Sequence, residues 1–279
     1  MPELPEVETV RRSLEPLVPH KQITAVEIFK PSLLALGDEA AFAALVGAEI
    51  GEINRRGKYL LFSVQTAEPL CWVVHLRMTG KLLYRPQALP LEKHDHARLT
   101  FADGSELVYN DMRGFGRFWL TQDGPEGLAQ VSGLNSLGLE PLDADFSVEY
   151  WQEKIKRRPR AMVKAALLDQ TVVAGLGNIY ADEVLFQAQV HPERPLGSLT
   201  ESENQRLTQA MREILQASIE QRGTTFRDYV DGNNEKGGYQ ESLRVFQKKG
   251  QPCPNCQGEI QRIKVAGRSS YFCPHCQVK

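Results

Sequence analysis

Four cysteines near the C-terminus most strongly constrain what this chain can fold into. They form two Cys-x-x-Cys turns, CPNC and CPHC, separated by 16 residues. Each turn can direct two thiolates at one ion, and two turns complete a tetrahedral sulfur site in a segment too short to bury a core of its own. The spacing therefore predicts one structural zinc ion, bound by Cys253, Cys256, Cys273 and Cys276.

Two disulfide bonds are the alternative explanation of these four cysteines. Disulfides form in oxidising compartments, whereas the acidic start MPELPEVETV does not resemble a secretory signal. No apolar run reaches the roughly 18–20 residues that a membrane-spanning helix needs. We therefore expect a cytoplasmic protein that does not bind membranes and keeps its thiols reduced. The fifth cysteine, Cys71, has apolar neighbours and is expected to be buried and inert.

The hydrophobic pattern changes period midway along the chain. Residues 3–18 have apolar side chains at helical spacing. Short β-branched or aromatic runs follow, among them KYLLFSVQ, LCWVVHLRM, ARLTF and RFWLT. From about Phe146 the period is helical, in EYWQEKIK, AMVKAALLDQ, NIYADEVLFQA and ESENQRLTQAMREILQASIEQ. The pattern predicts an α+β protein whose first half is antiparallel β and whose second half is helical, with a boundary in the Gly/Ser/Pro-rich residues 132–143.

The charge distribution favours nucleic-acid binding by the second half. The net charge of −2 combines −7 in residues 1–150 with +5 in residues 151–279. One short run contains several basic side chains, which could displace counterions from a phosphate backbone. They are Lys154, Lys156, Arg157, Arg158, Arg160 and Lys164. An ordinary solvated face would have the same composition. GLGNIYADE places Asn178 and backbone amides at a helix start, where they could bind an anion or form a plain N-cap.

The chain start is the candidate for chemistry. Removal of the initiator Met from Met-Pro would leave Pro2 as an N-terminal secondary amine with a pKa near about 8, partly uncharged at neutral pH. Such an amine can attack an electrophilic carbon, and Glu3 could supply a proton. An ordinary proline and glutamate at a helix start would explain the same residues.

Motifs spread over the whole chain resemble formamidopyrimidine-DNA glycosylases. They are, in order, MPELPEVETVRRSLEP, GKYLLF, HLRMTG, EKHDH, NDMRGFGRF, AGLGNIYADEVLF, RGTTFRDYV and CPNC…YFCPHCQ. The resemblance implies an N-terminal β-sandwich with an N-terminal helix over 1–135, a linker over 136–144, a helix–two-turn–helix domain over 145–240 and a zinc finger over 241–279. It also implies a monomeric enzyme that acts on double-stranded DNA containing oxidised bases or abasic sites.

The resemblance assigns catalytic roles to residues of this chain. Pro2 would attack the sugar carbon that bears an oxidised purine and form a Schiff base, and Glu3 would be the acid at the sugar oxygen. Lys58 would contact a phosphate and take part in proton transfer. Arg268 would bind phosphate and assist δ-elimination. Base release and strand cleavage by β,δ-elimination would then share one nucleophile.

The resemblance also implies how an everted base would be accommodated. Met78 and Phe115 would fill the gap in the helix, with Arg113 at the opposite base; further DNA contacts would come from His75, His94, Arg158, Arg160 and Asn178. Family members often have a second basic residue where this chain has Gly114. Residues 224–239 have the composition of a mobile loop, and Thr224, Thr225 and Tyr239 are expected in the lesion pocket.

Two alternatives remain open on the sequence alone. The related endonuclease VIII branch shares the proline, glutamate, helix–two-turn–helix and finger but prefers oxidised pyrimidines; the start MPELPE and the trio Met78, Arg113 and Phe115 favour the purine branch. A catalytically silent, zinc-dependent binder of damaged DNA would also fit. The joint presence of Pro2, Glu3 and Lys58 disfavours it, because a binder needs no free secondary amine.

Overall fold

The computed structural model describes residues 1–279 and divides them into two compact units. Unit 1 comprises residues 1–135 and 221–238, and unit 2 comprises residues 136–220 and 239–279. The segment 221–238 lies within the predicted helical range of 145–240, yet it packs with unit 1. The physical reason is hydrogen bonding, because backbone amides of this segment donate to side chains of the N-terminal helix.

Unit 1 is a β-sandwich that begins with a helix. Its helices are α1 (Leu4–Leu14), α2 (Glu39–Ala43) and α3 (Pro125–Leu128). Its strands are β1 (Ile23–Ile28), β2 (Leu34–Leu36), β3 (Glu49–Arg56), β4 (Tyr59–Gln65), β5 (Leu70–His75), β6 (Gly80–Arg85), β7 (Asp95–Phe101), β8 (Glu106–Asp111) and β9 (Arg117–Gln122). The helix expected over residues 3–18 ends at Leu14, because Pro16 cannot donate a hydrogen bond and its ring clashes with the preceding turn.

Two sheets make up the sandwich. The four-stranded sheet has the order β1-β7-β8-β6 and is antiparallel throughout. The five-stranded sheet has the order β2-β9-β5-β4-β3 and is antiparallel except for the β2–β9 pair. The rings of Tyr109 in β8 and Phe118 in β9 lie 5.0 Å apart, and Trp72 of β5 lies 5.1 Å from Phe118. The apolar faces of both sheets therefore meet in one core.

Unit 2 is helical and contains one β-hairpin. Its helices are α4 (Val148–Ile155), α5 (Val163–Leu168), α6 (Asn178–Gln187) and α7 (Glu201–Glu220), and its strands are β10 (Gln261–Val265) and β11 (Arg268–Phe272). The long helix α7 is tied to α4 by a buried hydrogen bond from Trp151 to Asn204 and to α6 by one between the hydroxyls of Tyr180 and Ser218. These polar contacts fix the angles at which the helices pack.

The hairpin of unit 2 turns on two residues with positive φ. Val265 pairs with Arg268, and between them Ala266 and Gly267 have φ values of 47° and 76°. Positive φ at both central residues matches the right-handed twist of the flanking strands. The turn thereby places Arg268 at the start of β11.

No helix of the structure has the length and apolar character that crossing a membrane requires.

Candidate active site

The start of α1 holds Pro2 and Glu3 in a fixed arrangement. Glu3 is the N-cap, and its backbone N–H donates to the Glu6 carboxylate at 2.8 Å while its own carboxylate accepts from the Glu6 backbone. This reciprocal pair is a capping box. Pro2 is buried, and Glu3 and Glu6 are only 2% and 1% exposed. A candidate nucleophile and a candidate acid are therefore adjacent, buried and held by the first turn of one helix.

Glu6 also binds the segment 221–238 of unit 1. Its carboxylate accepts the Thr224 backbone N–H at 2.7 Å, and its carbonyl accepts the Tyr229 hydroxyl at 3.2 Å. The backbone N–H of Gly232 donates to the Ser13 hydroxyl at 2.8 Å further along α1. One buried glutamate thus positions both the residue next to Pro2 and the segment that holds Thr224.

Lys58 lies in the tight turn between β3 and β4 and is 6% exposed. Arg55 connects this turn to α1, because its guanidinium donates to Glu8 at 2.9 Å and to the Gly57 carbonyl at 3.1 Å. Burial raises the pKa of Glu8, but the hydrogen bonds from Arg11, Arg12 and Arg55 outweigh burial and lower it to about 2. The ion cluster around Glu8 therefore fixes the turn that holds Lys58 relative to the helix that begins beside Pro2.

His75, at the end of β5, is a neutral side chain with a defined tautomer. The backbone N–H of Arg77 donates to its Nδ1 at 2.9 Å, so the remaining ring hydrogen is on Nε2. Burial, followed by the positive charges of Arg77 and Lys58, lowers the pKa of His75 to about 3. The ring edge meets Tyr59 at a centroid distance of 4.6 Å. His75 can therefore donate one hydrogen bond without carrying charge at neutral pH.

Met78 and Phe115 lie on two loops of unit 1 and are 37% and 49% exposed. The guanidinium of Arg113 lies over the Phe115 ring at 4.8 Å. Gly114 has a φ of 64°, and the Lys30 ammonium donates to its carbonyl at 3.3 Å. A cation thus lies against the backbone of Gly114.

The predicted DNA contact His94 is half-buried in the turn before β7, and its carbonyl accepts the backbone N–H of Asp111. The chain position is therefore fixed by β8, while part of the imidazole ring stays accessible.

Asn178 and Arg268 are brought together in unit 2. Asn178 is the first residue of α6, and its amide donates to the Ser269 carbonyl at 3.1 Å, next to Arg268 at the start of β11. Lys164 donates to the same carbonyl at 2.9 Å. Arg268 is exposed. A helix N-terminus and an exposed guanidinium can together bind an anion.

The basic residues 154–164 do not all have the phosphate-binding role that the sequence suggested. Lys164, counted among the cations available to a phosphate backbone, is fully buried and pairs with the fully buried Asp182 at 2.7 Å. Its charge is therefore structural. Arg158 is exposed but forms an ion pair with Asp169, whereas Arg160 is exposed on the same turn.

The segment 224–239 contains hydrogen bonds between its own residues. Thr225 accepts the Gly237 N–H at 2.9 Å and donates to the Tyr229 carbonyl at 3.1 Å, so the two arms of the segment are joined. Phe226, Arg227 and residues 233–236 are its main exposed parts. Tyr239 belongs to unit 2, where its ring lies 6.0 Å from that of Tyr180.

The four cysteines converge as a zinc site requires. Their sulfur atoms all lie within 4.8 Å of one another, with 3.8 Å between Cys253 and Cys276 and 3.4 Å between Cys256 and Cys273. A tetrahedral zinc with bonds of about 2.3 Å separates its sulfur ligands by about 3.8 Å. Cys253 also accepts the Asn255 N–H at 3.4 Å. The donor set fits one structural zinc ion, and no disulfide is formed.

Buried carboxylates are the functional residues that the pattern did not reveal. Glu6 could have been recognised, because Glu3-x-x-Glu6 at a helix start has capping-box spacing. Asp182 and Glu183 gave no such signal, since both lie on a helix that is buried on all sides. Glu183 accepts three backbone amides, from Arg244, Val245 and Phe246, at 2.8 to 3.0 Å.

Comparison with known proteins agrees with this arrangement. Residues 1–118 match the formamidopyrimidine-DNA glycosylase N-terminal domain, residues 137–230 match the H2TH domain of the same enzymes, and residues 250–278 match a zinc finger found in FPG and IleRS. A formamidopyrimidine-DNA glycosylase of Desulforamulus reducens is 48% identical over 99% of both chains.

Two solved structures from Lactococcus lactis have the same fold. The Fpg complex with abasic-site DNA is 40% identical with a TM-score of 0.90, covering 99% of this chain and 100% of that one. The wild-type Fpg complex with N7-benzyl-Fapy-dG DNA is 41% identical with a TM-score of 0.91, covering 100% of both. Fold and site define a zinc-containing helix–two-turn–helix DNA glycosylase. The chain belongs to the formamidopyrimidine-DNA glycosylase family.

Proposed function

We propose that this chain releases oxidised purines, 8-oxoguanine and formamidopyrimidines, from double-stranded DNA and then cleaves the strand at the abasic site. The observation that carries the proposal is the buried capping box, which places Glu3 beside Pro2 and connects both to the Thr224 segment through Glu6. Relatives with the same fold have been solved with abasic-site DNA and with a formamidopyrimidine lesion. Those ligands are the product and a substrate of the proposed reaction.

Pro2 acts as the nucleophile once Met1 is removed. Its nitrogen attacks C1′ of the damaged nucleotide, the C1′–N bond breaks, and the base departs with the bonding electrons and receives a proton. Glu3 protonates the ring oxygen as the sugar opens, which leaves an iminium between the proline nitrogen and C1′. The capping box supports this role, because it holds the Glu3 side chain at the start of α1 next to Pro2.

The iminium then withdraws electrons from the opened sugar. Loss of the C2′ proton breaks the C3′–O bond in β-elimination, and a second elimination breaks the C5′–O bond. Lys58 assists proton transfer and contacts a phosphate near the lesion, and Arg268 binds phosphate and assists the second elimination. The Gly57 carbonyl next to Lys58 accepts a hydrogen bond from Arg55 at 3.1 Å, and the Ser269 carbonyl next to Arg268 accepts one from Lys164 at 2.9 Å, which favours such fixed roles.

Met78 and Phe115 fill the gap that eversion of the lesion leaves, and Arg113 binds the opposite base. Their exposure on two loops supports this assignment. His75 donates a neutral hydrogen bond through Nε2 to a phosphate.

The remaining DNA contacts are positively charged or polar groups: His94, Arg158, Arg160 and Asn178. Arg158 must exchange its ion pair with Asp169 for a phosphate.

Thr224, Thr225 and Tyr239 are the residues assigned to the lesion pocket. The hydrogen bond between the Thr224 amide and Glu6 supports a pocket wall that is preformed on the N-terminal helix.

The division into a sandwich over 1–135, a linker over 136–144, a helical domain over 145–240 and a finger over 241–279 forms part of the same proposal. We place the enzyme in the cytoplasm as a monomer, because its relatives are bacterial and have been solved in complex with DNA.

Single-turnover assays on a duplex with one 8-oxoguanine opposite cytosine test the proposal. Pro2→Gly is expected to abolish Schiff-base-dependent cleavage, and Glu3→Gln to slow base release at least about 100-fold. Glu15→Gln, at the exposed C-terminal end of the same helix, is the matched control and should match the wild type. Unchanged cleavage by Pro2→Gly would refute the nucleophile.

The same assay separates the proposed function from its alternatives. Faster release of an oxidised pyrimidine than of 8-oxoguanine would place the chain with the endonuclease VIII branch. Tight lesion binding without release of either base would identify a silent binder.

A further inference from the structure

A buried carboxylate in unit 1 connects the two loops that carry Met78 and Phe115. Asp111, the last residue of β8, is fully buried. Its Oδ1 accepts the Thr79 hydroxyl at 2.5 Å and the Arg113 N–H at 3.2 Å. Its Oδ2 accepts the Gly116 N–H at 2.9 Å and the Tyr109 hydroxyl at 3.2 Å. The carboxylate therefore binds one residue next to Met78 and two residues that flank Phe115.

Thr79 makes the connection direct. Its hydroxyl donates to Asp111 and accepts the backbone N–H of Arg113 at 3.1 Å. Thr79 is itself 8% exposed, so water competes little for these bonds. A single hydroxyl thus joins the chain immediately after Met78 to the backbone of Arg113.

Two glycines allow the loops to approach this centre. A Cβ at Gly80 would lie 2.3 Å from the Tyr109 hydroxyl, and one at Gly116 would lie 1.6 Å from the same atom. Gly80 follows Thr79, and Gly116 follows Phe115. Each loop therefore has a glycine at the position where its backbone packs against Tyr109, because a larger residue would not fit there.

The carboxylate is held in its charged form. Burial raises the pKa of Asp111, but the hydrogen bonds from Thr79, Gly116 and Tyr109 lower it by more, so it stays below its ordinary value. Charge-assisted bonds of this kind are stronger than neutral ones. They stabilise both loops, while Met78 and Phe115 themselves remain exposed.

We propose that Asp111 and Thr79 are positioning residues that join the Met78 loop and the Arg113–Phe115 loop into one rigid wedge, so that the two side chains enter the DNA together. This inference rests on the proposed function, in which Met78 and Phe115 fill the gap left by the everted base. A preformed wedge reduces the ordering cost of insertion. Neither Thr79 nor Asp111 contacts the reacting atoms.

Thr79→Val removes the bridging hydroxyl and keeps the side-chain shape. The single-turnover rate of base release from an 8-oxoguanine duplex is expected to fall about tenfold, which corresponds to the free energy of one buried hydrogen bond. Cleavage of a preformed abasic site in single-stranded DNA should stay within about twofold of the wild type, because a single strand leaves no helix gap to fill. Thr79→Ser restores the hydroxyl and should restore base release.

Tyr109→Phe is the matched control. It removes one donor to the same carboxylate but keeps both the Thr79 hydroxyl, which joins the loops, and the aromatic ring of residue 109. Energetic coupling is measured by a double-mutant cycle of Met78→Ala and Phe115→Ala. Coupling is expected in the wild type and with Tyr109→Phe, and its loss is expected with Thr79→Val. Thr79→Ala, which removes the same hydroxyl from a smaller side chain, replaces Thr79→Val if the latter does not fold.

Three outcomes would overturn the inference and remain distinct from failure of the proposed function. They are wild-type base release by Thr79→Val, an equal loss on duplex and single-stranded substrates, and unchanged coupling of Met78 and Phe115. The proposed function itself fails if the wild type releases no base from the duplex.

Discussion

Removal of one partner from the ion pair of Lys164 and Asp182 is predicted to destabilise unit 2. Both side chains are fully buried, with 2.7 Å between Nζ and Oδ1. Lys164 also donates to the Ser269 carbonyl and the Ser270 hydroxyl. Burial acts to raise the pKa of Asp182, and the charge and hydrogen bond of Lys164 act to lower it. Lys164→Met would leave this carboxylate without its cation, and breaking a buried pair from one side costs about 3–5 kcal/mol.

Thermal unfolding measures this cost. A loss of about 3–5 kcal/mol corresponds to a melting temperature about 10 °C lower for a protein of this size. The double variant Lys164→Met/Asp182→Asn removes the unpaired charge and keeps an acceptor for the Tyr271 N–H, which lies 3.0 Å from Asp182. We expect it to recover about half of the lost stability.

Lys156→Met is the matched control for this prediction. Lys156 is exposed and forms an ion pair with Glu153 on the surface, so removal of its charge should lower the free energy of unfolding by less than about 1 kcal/mol. The reasoning is refuted if Lys164→Met is within about 1 kcal/mol of the wild type, or if the double variant is no more stable than the single one.

Three further predictions concern acid stability, a strained turn and phosphate binding. Because the pKa of Glu8 is lowered to about 2, the stabilisation that its charge gives the folded state is complete above pH 4.5 and is lost as the pH falls towards 2. Glu8→Gln should therefore lower the free energy of unfolding, measured with urea, by about 2 kcal/mol at pH 7 and by little at pH 2. Gly114→Ala should cost about 1 kcal/mol in thermal unfolding, since φ is 64° and the new Cβ would meet the Lys30 ammonium. Arg268→Ala should reduce the slope of log K against log salt by about 1, and an unaltered slope would remove Arg268 from the phosphate contacts.

Local patterns in the sequence predicted the elements that depend on local signals. KYLLFSVQ and RFWLT form β4 and β9, which flank the central strand β5, and the long run from Glu201 forms α7. The four cysteines predicted their own site because ligand spacing is a local property. Strand β3 was missed, since its sequence EIGEINRR is polar and the strand has a register shift between Ile50 and Ile53.

Buried charges were not predictable from the same patterns. Lys164 appears in a basic run and was assigned to a solvent-facing surface, yet its partner Asp182 lies 18 residues away on another helix. Asp111 and Thr79 are 32 residues apart and meet only because β6 and β8 pair. Such contacts depend on tertiary packing, which hydrophobic periodicity does not predict. The hydrogen bonds that join the 224–239 segment to Glu6 and Ser13 could not be predicted for the same reason, because both partners lie on the first helix.

Borohydride trapping tests the central claim most directly. Protein whose N-terminus has been confirmed as Pro2 is incubated with a duplex containing one 8-oxoguanine opposite cytosine and then reduced, and the covalent complex is mapped by peptide mass. The account predicts a cross-link on the peptide that begins at Pro2. A cross-link at Lys58, or none at all, would contradict it.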